Sequence, residues 1–282
     1  MNDQIYTGKN LDLLDIELQL LLEAIHLKYG YDFRNYSKAH VKRRILHKFN
    51  MSSMENITQM QERLLWDKRY FAELINELSI NVTEMFRDPA FYKSFRENVV
   101  PVLKTYAFIK VWHAGCATGE EVYSLAILLK EEGLLERAQI YATDFNRNVL
   151  EVAKQGIYSN DNFSQYSRNY KSAGGKGEFS DYFTSRYGSV MMDKSLTKKV
   201  VFADHNLVTD SVFAEVNLII CRNVMIYFNR ELQNKVVGLF YKSLSSSGYL
   251  CLGTKESLRF GEHEQLFQAV DPKYRIYKKR II

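Results

Sequence analysis

Residues 111–129 read VWHAGCATGEEVYSLAILL, an apolar strand pattern that passes through a glycine turn directly into a helical pattern. A strand flowing into a helix cannot bury its apolar faces alone. It needs further strands beside it and helices over them. The chain from Phe108 onward supplies both. AQIYATDF reads as a strand, and NRNVLEVAKQGIY as a helix capped by Asn146. VNLIICRNV reads as a buried strand, and RELQNKVVGLFYKSLSSSG as a helix ending at Gly248. GYLCLGT gives another strand, and YRIYKK alternates like a final edge strand. Strands alternating with helices predict an α/β fold with a parallel, doubly wound sheet.

The first part of the chain has a different texture. LDLLDIELQLLLEAIHLKYG carries leucines at helical spacing and closes on Gly30, a natural C-cap. In SKAHVKRRILHKFN, Ser37 is a candidate N-cap, and Val41, Ile45, Leu46 and Phe49 form one apolar stripe. MENITQMQERLLWD and KRYFAELINELSI add two helical patterns. INVTEMFRDP interrupts them, because Pro89 drives Asp88 out of helical geometry. PAFYKSFRENVVPVLKTY then resumes as a helix. The expected division is a helical domain over 1–88 and an α/β domain over 89–282. A Gly- and Tyr-rich insertion at 159–199 reads as a small β-subdomain within the latter.

Bulk properties narrow the class. A 46% hydrophobic content with 19 Tyr and 17 Phe argues against disorder. Cys116, Cys221 and Cys251 show no CxxC spacing and no His–Cys cluster. Neither a zinc site nor a disulfide framework is indicated, no metal is expected, and a reducing cytoplasm fits. MNDQIYTGKN lacks the pattern of a signal peptide, and no apolar run approaches the ~18 residues of a membrane span. Net charge is only +5, but residues 34–50 hold six Lys or Arg and no acid. Lys38, Lys42, Arg43, Arg44 and Lys48 flank the apolar stripe. A solvated face is the ordinary reading of such a run. One sign over four turns favours an acidic partner. Nucleic acid is not expected, since no RNA-binding signature accompanies the run.

In an open α/β sheet the ligand sits beyond the carboxyl ends of the strands. Gly115 and Gly119 would let the backbone approach it. A pyrophosphate would rest on the following helix N-terminus, yet Glu120 and Glu121 occupy that turn and would repel it. The spacing also departs from GxGxxG. A cofactor with positive groups and no phosphate fits better, and S-adenosylmethionine has that chemistry. Helix-dipole stabilisation is the plainer reading of either Glu alone. Asp144 closes the second strand, where an acid accepts from ribose hydroxyls or simply caps the next helix. Asn206 and Asn223 follow two further strands and suit a nucleobase or an amino-acid group, or else ordinary turns. Asn81, Thr83 and Arg87 sit at the junction of the two textures. There Arg87 suits a carboxylate, or a local pair with Asp88 or Glu84. Tyr227 lies just beyond Asn223 and is otherwise a packing residue.

Taken together, NVTEMFRD, VWHAGCATGEEVYSLA, YATDFNRNVLEVAKQGIY, HNL and LIICRNVMIYF resemble, in order, the CheR-type chemotaxis-receptor methyltransferases. The resemblance spans nearly the whole chain. It implies a helical N-terminal domain followed by a Rossmann-like S-adenosylmethionine-dependent methyltransferase domain with a small β-subdomain insertion. It also implies protein-glutamate O-methylation of chemoreceptor signalling helices, with S-adenosylhomocysteine as product. By matching motif it places Asn81, Thr83, Arg87, Glu121, Asp144, Asn206, Leu207, Arg222 and Asn223 at the cofactor, where the glycine turn also puts Gly115. It places Tyr227 and Arg87 at the transferred methyl. The basic helix resembles the part that docks on acidic receptor helices, and the insertion resembles a subdomain that in some members binds a receptor-tail peptide. A cytoplasmic monomer is expected. Three departures stand out: Val122 where many members have Pro, Ala117 where Ser is usual, and GTKESL after Gly248, where the family more often has His after the Gly. A methyltransferase acting on RNA or a small molecule, a non-catalytic scaffold and, distantly, a dehydrogenase are the rival readings.

Overall fold

The computed structural model describes residues 12–79, 81–259 and 261–281; the reading of MNDQIYTGKN lies outside the described residues. The chain divides into two compact units. Asn81–Ile226 with Arg230–Ile282 form one, and the preceding residues with Tyr227–Asn229 form the other. Residues 81–88 thus belong with the α/β unit, ahead of the boundary expected at 88.

The helical unit contains α1 (Leu13–Tyr29), α2 (Lys38–Asn50), α3 (Ile57–Trp66) and α4 (Lys68–Leu78). Gly30 closes α1 in the left-handed conformation at φ 77°, as its position predicts. Leu21, Ile25, Ile45, Met60, Leu64 and Leu74 are fully buried. Leu46 and Phe49, counted in the α2 stripe, are half-buried. Ser37 does not cap α2 with its side chain; its N–H donates to the Tyr227 carbonyl at 2.7 Å. Tyr36 pairs with Phe228 in an antiparallel bridge, and the Asn229 N–H donates to the Asn35 carbonyl at 2.9 Å. These bonds attach Tyr227–Asn229 to the helices.

The α/β unit contains α5 (Pro89–Asn98), α6 (Val100–Leu103), β1 (Ile109–Ala114), α7 (Glu120–Glu131), β2 (Ala138–Asp144) and α8 (Arg147–Gln155). Then come β3 (Ile157–Ser159), α9 (Phe163–Ser172), β4 (Phe183–Arg186), β5 (Ser189–Met192), β6 (Val200–Asp204) and β7 (Val216–Cys221). It closes with α10 (Arg230–Ser243), β8 (Leu244–Leu252), β9 (Phe267–Asp271) and β10 (Ile276–Lys279). The helix expected from Pro89 to Tyr106 breaks at Val99, because Pro101 has no N–H for the turn before it. The helix expected to reach Gly248 stops at Ser243, and β8 takes over at once.

The main sheet runs β6-β2-β1-β7-β8-β10-β9. β6, β2, β1, β7 and β8 are parallel, and β10 and β9 are antiparallel. YRIYKK, expected at the edge, pairs on both sides, and the edge strand is β9, FQAVD. That segment is short and half polar, too weak a pattern to read. β1 is flanked by β2 and by β7, so the chain winds outward in both directions from it. The crevice of such a sheet lies at that switch point, beyond the strands' carboxyl ends. The insertion folds as a three-stranded antiparallel sheet, β3-β5-β4. Its tyrosines serve packing and bonding: Tyr170 and Tyr182 both donate hydroxyl bonds to the Glu131 carboxylate. No helix among the described residues is long and apolar enough to cross a membrane.

Candidate cofactor site

The residues singled out after strands of the α/β unit lie on the carboxyl side of the parallel sheet. Gly115 and Gly119 follow β1, Asp144 ends β2, Asn206 follows β6, and Arg222 and Asn223 follow β7. Both glycines are left-handed, at φ 73° and 94°. A Cβ on Gly115 would lie 2.5 Å from Val224 Cγ2, and one on Gly119 2.8 Å from the Ala153 Cβ. The close approach that glycine permits here is to the protein itself. Phe86 (φ 53°), Asp88 (φ 54°), Ala117 (φ 47°) and Asn223 (φ 62°) are also left-handed. Non-glycine residues in this region are strained and cluster where the surroundings over-determine them.

Asp144 shows what holds the glycine turn. Its carboxylate accepts from the N–H of Ala117 at 2.9 Å and of Asn146 at 3.0 Å. Burial pushes its pKa up, and these N–H groups oppose the rise. A carboxylate offers about four acceptor sites, so capacity remains for a ribose.

The two glutamates at the start of α7 are both buried, at 8% exposure each, but their surroundings differ. Glu121 accepts a short bond from Arg222 Nη1 and a 3.4 Å bond from the Tyr92 hydroxyl. His113 Nε2 lies 3.2 Å from its other oxygen, out of line for a full hydrogen bond, and acts as an electrostatic neighbour. Burial works to raise the Glu121 pKa, but Arg222 and His113 outweigh it and hold it down at about 2. Glu120 has one partner among the described residues, the Thr118 hydroxyl at 2.6 Å. Burial pushes its pKa up to about 7. The sequence reading put Glu121 toward the cofactor and left Glu120 to the helix dipole. The geometry ties Glu121 to Arg222 within the fold and leaves acceptor capacity on both carboxylates.

Arg222 is the hub of this arrangement. Its Nη2 donates to Asp88 at 2.7 Å, its Nη1 also reaches the Arg87 carbonyl at 3.3 Å, and its guanidinium lies 4.1 Å from the Phe91 ring centroid. Asp88, which precedes α5, makes no side-chain cap bond. It pairs with Arg222 instead, so the local Arg87–Asp88 pair does not form. The Phe86 N–H donates to Ser124 Oγ at 2.9 Å, and Ser124 Oγ to the Glu120 carbonyl at 2.8 Å. Segment 82–88 is thereby tied to α7. Arg87 itself donates to the Val82 carbonyl at 3.3 Å; Asn81 and Thr83 are half-buried beside it in sequence. The Asn206 side-chain oxygen accepts from the Val208 N–H at 3.0 Å, an Asx turn that uses the amide oxygen. Leu207 is buried.

Glu256 was missed as a functional residue. Its buried carboxylate accepts from four backbone N–H groups: Gly253, Asn223 at 3.0 Å, Val224 at 2.9 Å and Met225 at 2.7 Å. One side chain therefore holds the turn that carries Asn223 in its strained conformation. Gly253 packs so tightly there that an added Cβ would lie 2.8 Å from the Asn223 nitrogen. The departing GTKESL motif keeps both of these residues. His113 and Tyr92, the neighbours of Glu121, were also unread. They lie inside ordinary strand and helix patterns and carry no signal of their own.

On α2 the basic residues divide. Lys42 pairs with Asp15 at 2.7 Å, Arg44 with Glu77 at 3.3 Å and Lys48 with Glu73 at 2.7 Å. Lys38 and Arg43 are exposed, with no carboxylate partner among the described residues. Tyr227 packs edge-on to the His40 ring of α2, centroids 5.0 Å apart. No group of three potential metal ligands assembles among the described residues.

The helical domain followed by a Rossmann-like sheet is the fold of an S-adenosylmethionine-dependent methyltransferase. The chain belongs to the CheR methyltransferase family. Residues 81–276 match its SAM-binding domain, and 16–79 its all-alpha domain. A Pseudomonas putida protein, Cher3, is 53% identical over 94% of this chain and 97% of its own length. Proteins named chemotaxis protein methyltransferase match from Borreliella burgdorferi (26% identity, 89% of this chain, 91% of that one) and Listeria monocytogenes (28%, 81% and 85%). The cofactor is S-adenosylmethionine, and the donor set fits it: acceptor capacity on Glu120 and Asp144, and an amide donor on Asn206.

Proposed function

We propose that this chain moves the methyl group of S-adenosylmethionine onto glutamate side chains of chemoreceptor cytoplasmic helices, giving methyl esters. The observation that carries the substrate class is the likeness, along both parts of the chain, to proteins named chemotaxis protein methyltransferases. When bound, the cofactor supplies an electrophilic methyl whose carbon–sulfur bond breaks with its electron pair going to sulfur. A free glutamate has a pKa of about 4.3, so the acceptor is already ionised near neutral pH and needs no base. The chain's residues align a carboxylate oxygen and strip its water. Glu120 faces the cofactor's positive charge. Asp144 takes the ribose while keeping its grip on Ala117, and Asn81, Thr83, Asn206, Leu207, Arg222 and Asn223 complete the pocket. Arg87 and Tyr227 orient the acceptor. Left-handed residues on both sides pin the Arg87 backbone, and one carbonyl bond leaves most of its donors for a carboxylate.

The test offers receptor cytoplasmic fragments and RNA side by side. Arg87→Ala and Tyr227→Phe should each lower turnover of the fragment about tenfold or more, the scale of a hydrogen bond to a charged group. Unchanged turnover and cofactor affinity in both variants refutes their assignment. Methylation of RNA and not of the fragment refutes the substrate class.

A further inference from the structure

The exposed cations of this chain are not confined to α2. Three of the five basic residues on that helix are paired with carboxylates of the helical unit itself. A second basic locus lies in the α/β unit. There a cavity of about 340 Å³ opens between the first turns of α10 and the loop that follows β8. Arg230, Gln233 and Asn234 line it from the helix, and Lys255, Arg259 and His263 from the loop. Lys255 and Arg259 are exposed, and no carboxylate lies within ion-pair distance of either among the described residues. Two acids border the cavity, Glu256 and Glu264. Glu256 does not act as a counter-charge, because its carboxylate is buried and turned to four backbone N–H groups. The cavity is therefore net positive.

Its position bears on what it takes. The cavity stands at the carboxyl ends of β7 and β8, the ligand side of the sheet. None of Gly115, Asp144, Asn206 or Arg222 lines it, so it is separate from the cofactor residues. It adjoins them through Glu256, which lines the cavity and also holds the turn of Asn223. A volume near the lower limit of small-molecule clefts, with donors on both walls, suits one or two carboxylate side chains. We propose that this cavity receives acidic side chains flanking the methylated glutamate, so that Lys255 and Arg259 read the sequence around the acceptor. The inference rests on the proposed protein-glutamate acceptor; the positive cavity itself does not.

The experiment compares the full-length chain with a Lys255→Glu/Arg259→Glu double variant and a milder Lys255→Gln/Arg259→Gln pair. A fluorescent helical peptide with glutamates on successive turns is titrated by anisotropy, without turnover. A receptor cytoplasmic fragment is then assayed for KM and kcat. Charge reversal should weaken peptide binding and raise the fragment KM about tenfold, with about threefold for the Gln pair, and both effects should shrink in high salt. Cofactor affinity by calorimetry and kcat should stay within about twofold. Unchanged peptide affinity and KM in both variants overturns the proposal. So does equal weakening of a control peptide with Gln for Glu, or an RNA oligonucleotide that displaces the peptide and itself depends on Lys255 and Arg259. Peptide binding through these residues by a wild-type chain that methylates no fragment overturns the acceptor reading and leaves the cavity assignment in place.

Discussion

Replacing Glu120 by Gln separates stability from cofactor binding. The folded chain holds this carboxyl at about 7, against 4.5 ordinarily, and the residue is 8% exposed, so solvent screens little of the cost. That rise corresponds to about 3 kcal/mol against the ionised form. The sign follows from linkage. The folded state binds the proton more tightly than the unfolded state, so stability falls as pH climbs past 4.5 and levels off above about 7. Gln keeps the Thr118 bond and removes the charge. Without cofactor, Glu120→Gln should therefore stabilise the chain by about 3 kcal/mol at pH 8 and by under about 1 kcal/mol at pH 5. Urea denaturation at the two pH values measures this directly. Calorimetry should show wild-type affinity for S-adenosylmethionine rising through pH 7. The variant should be flat with pH and at least about tenfold weaker at pH 8, the scale of one desolvated charge contact. A variant that is no more stable at pH 8 and binds the cofactor as tightly as wild type would refute the reasoning.

Glu121→Gln should behave oppositely. Its carboxyl is held at about 2, so its contribution is present above pH 4.5 and is lost as pH falls toward 2. The variant leaves Arg222 under-paired and should cost about 3 kcal/mol at pH 7 by denaturant titration. Glu256→Ala strands four backbone N–H groups, two of them buried. It should weaken cofactor binding about tenfold or more through the Asn223 turn, and Glu256→Gln should recover only part of that loss, both by calorimetry. Reversing Lys38 and Arg43 to Glu should raise the receptor-fragment KM without loss of thermal stability. Reversing Lys42 should instead loosen α1 from α2, since Lys42 pairs with Asp15.

Much of this molecule was legible in its sequence for a physical reason. Strand-to-helix alternation fixes a period that folding has to respect, so β1, β2 and β7 and the starts of the helices after them fell where the apolar pattern put them, while α8 and α10 end earlier than expected, at Gln155 and Ser243. Gly115, Asp144, Asn206 and Asn223 could be singled out because they follow apolar strand patterns and the crevice takes strand ends; Arg222 came only through the family resemblance. What stayed hidden was pairing between distant segments. Nothing in FRDP says that Asp88 meets Arg222, 134 residues away, and nothing in GTKESL says that Glu256 supports Asn223. Neighbouring glutamates look equal in sequence, yet a helix turns them about 100° apart and gives only one of them to Arg222. The basic run on α2 likewise concealed the carboxylates of α1 and α4 that meet three of its five Lys and Arg residues.

The most direct test of the acceptor chemistry is incubation of the purified chain with methyl-labelled S-adenosylmethionine and membranes from its own host. Label on a receptor-sized band that alkali releases as methanol is the expected result, because a glutamate methyl ester hydrolyses in base. Label that resists alkali, or label on RNA alone, would contradict glutamate methylation.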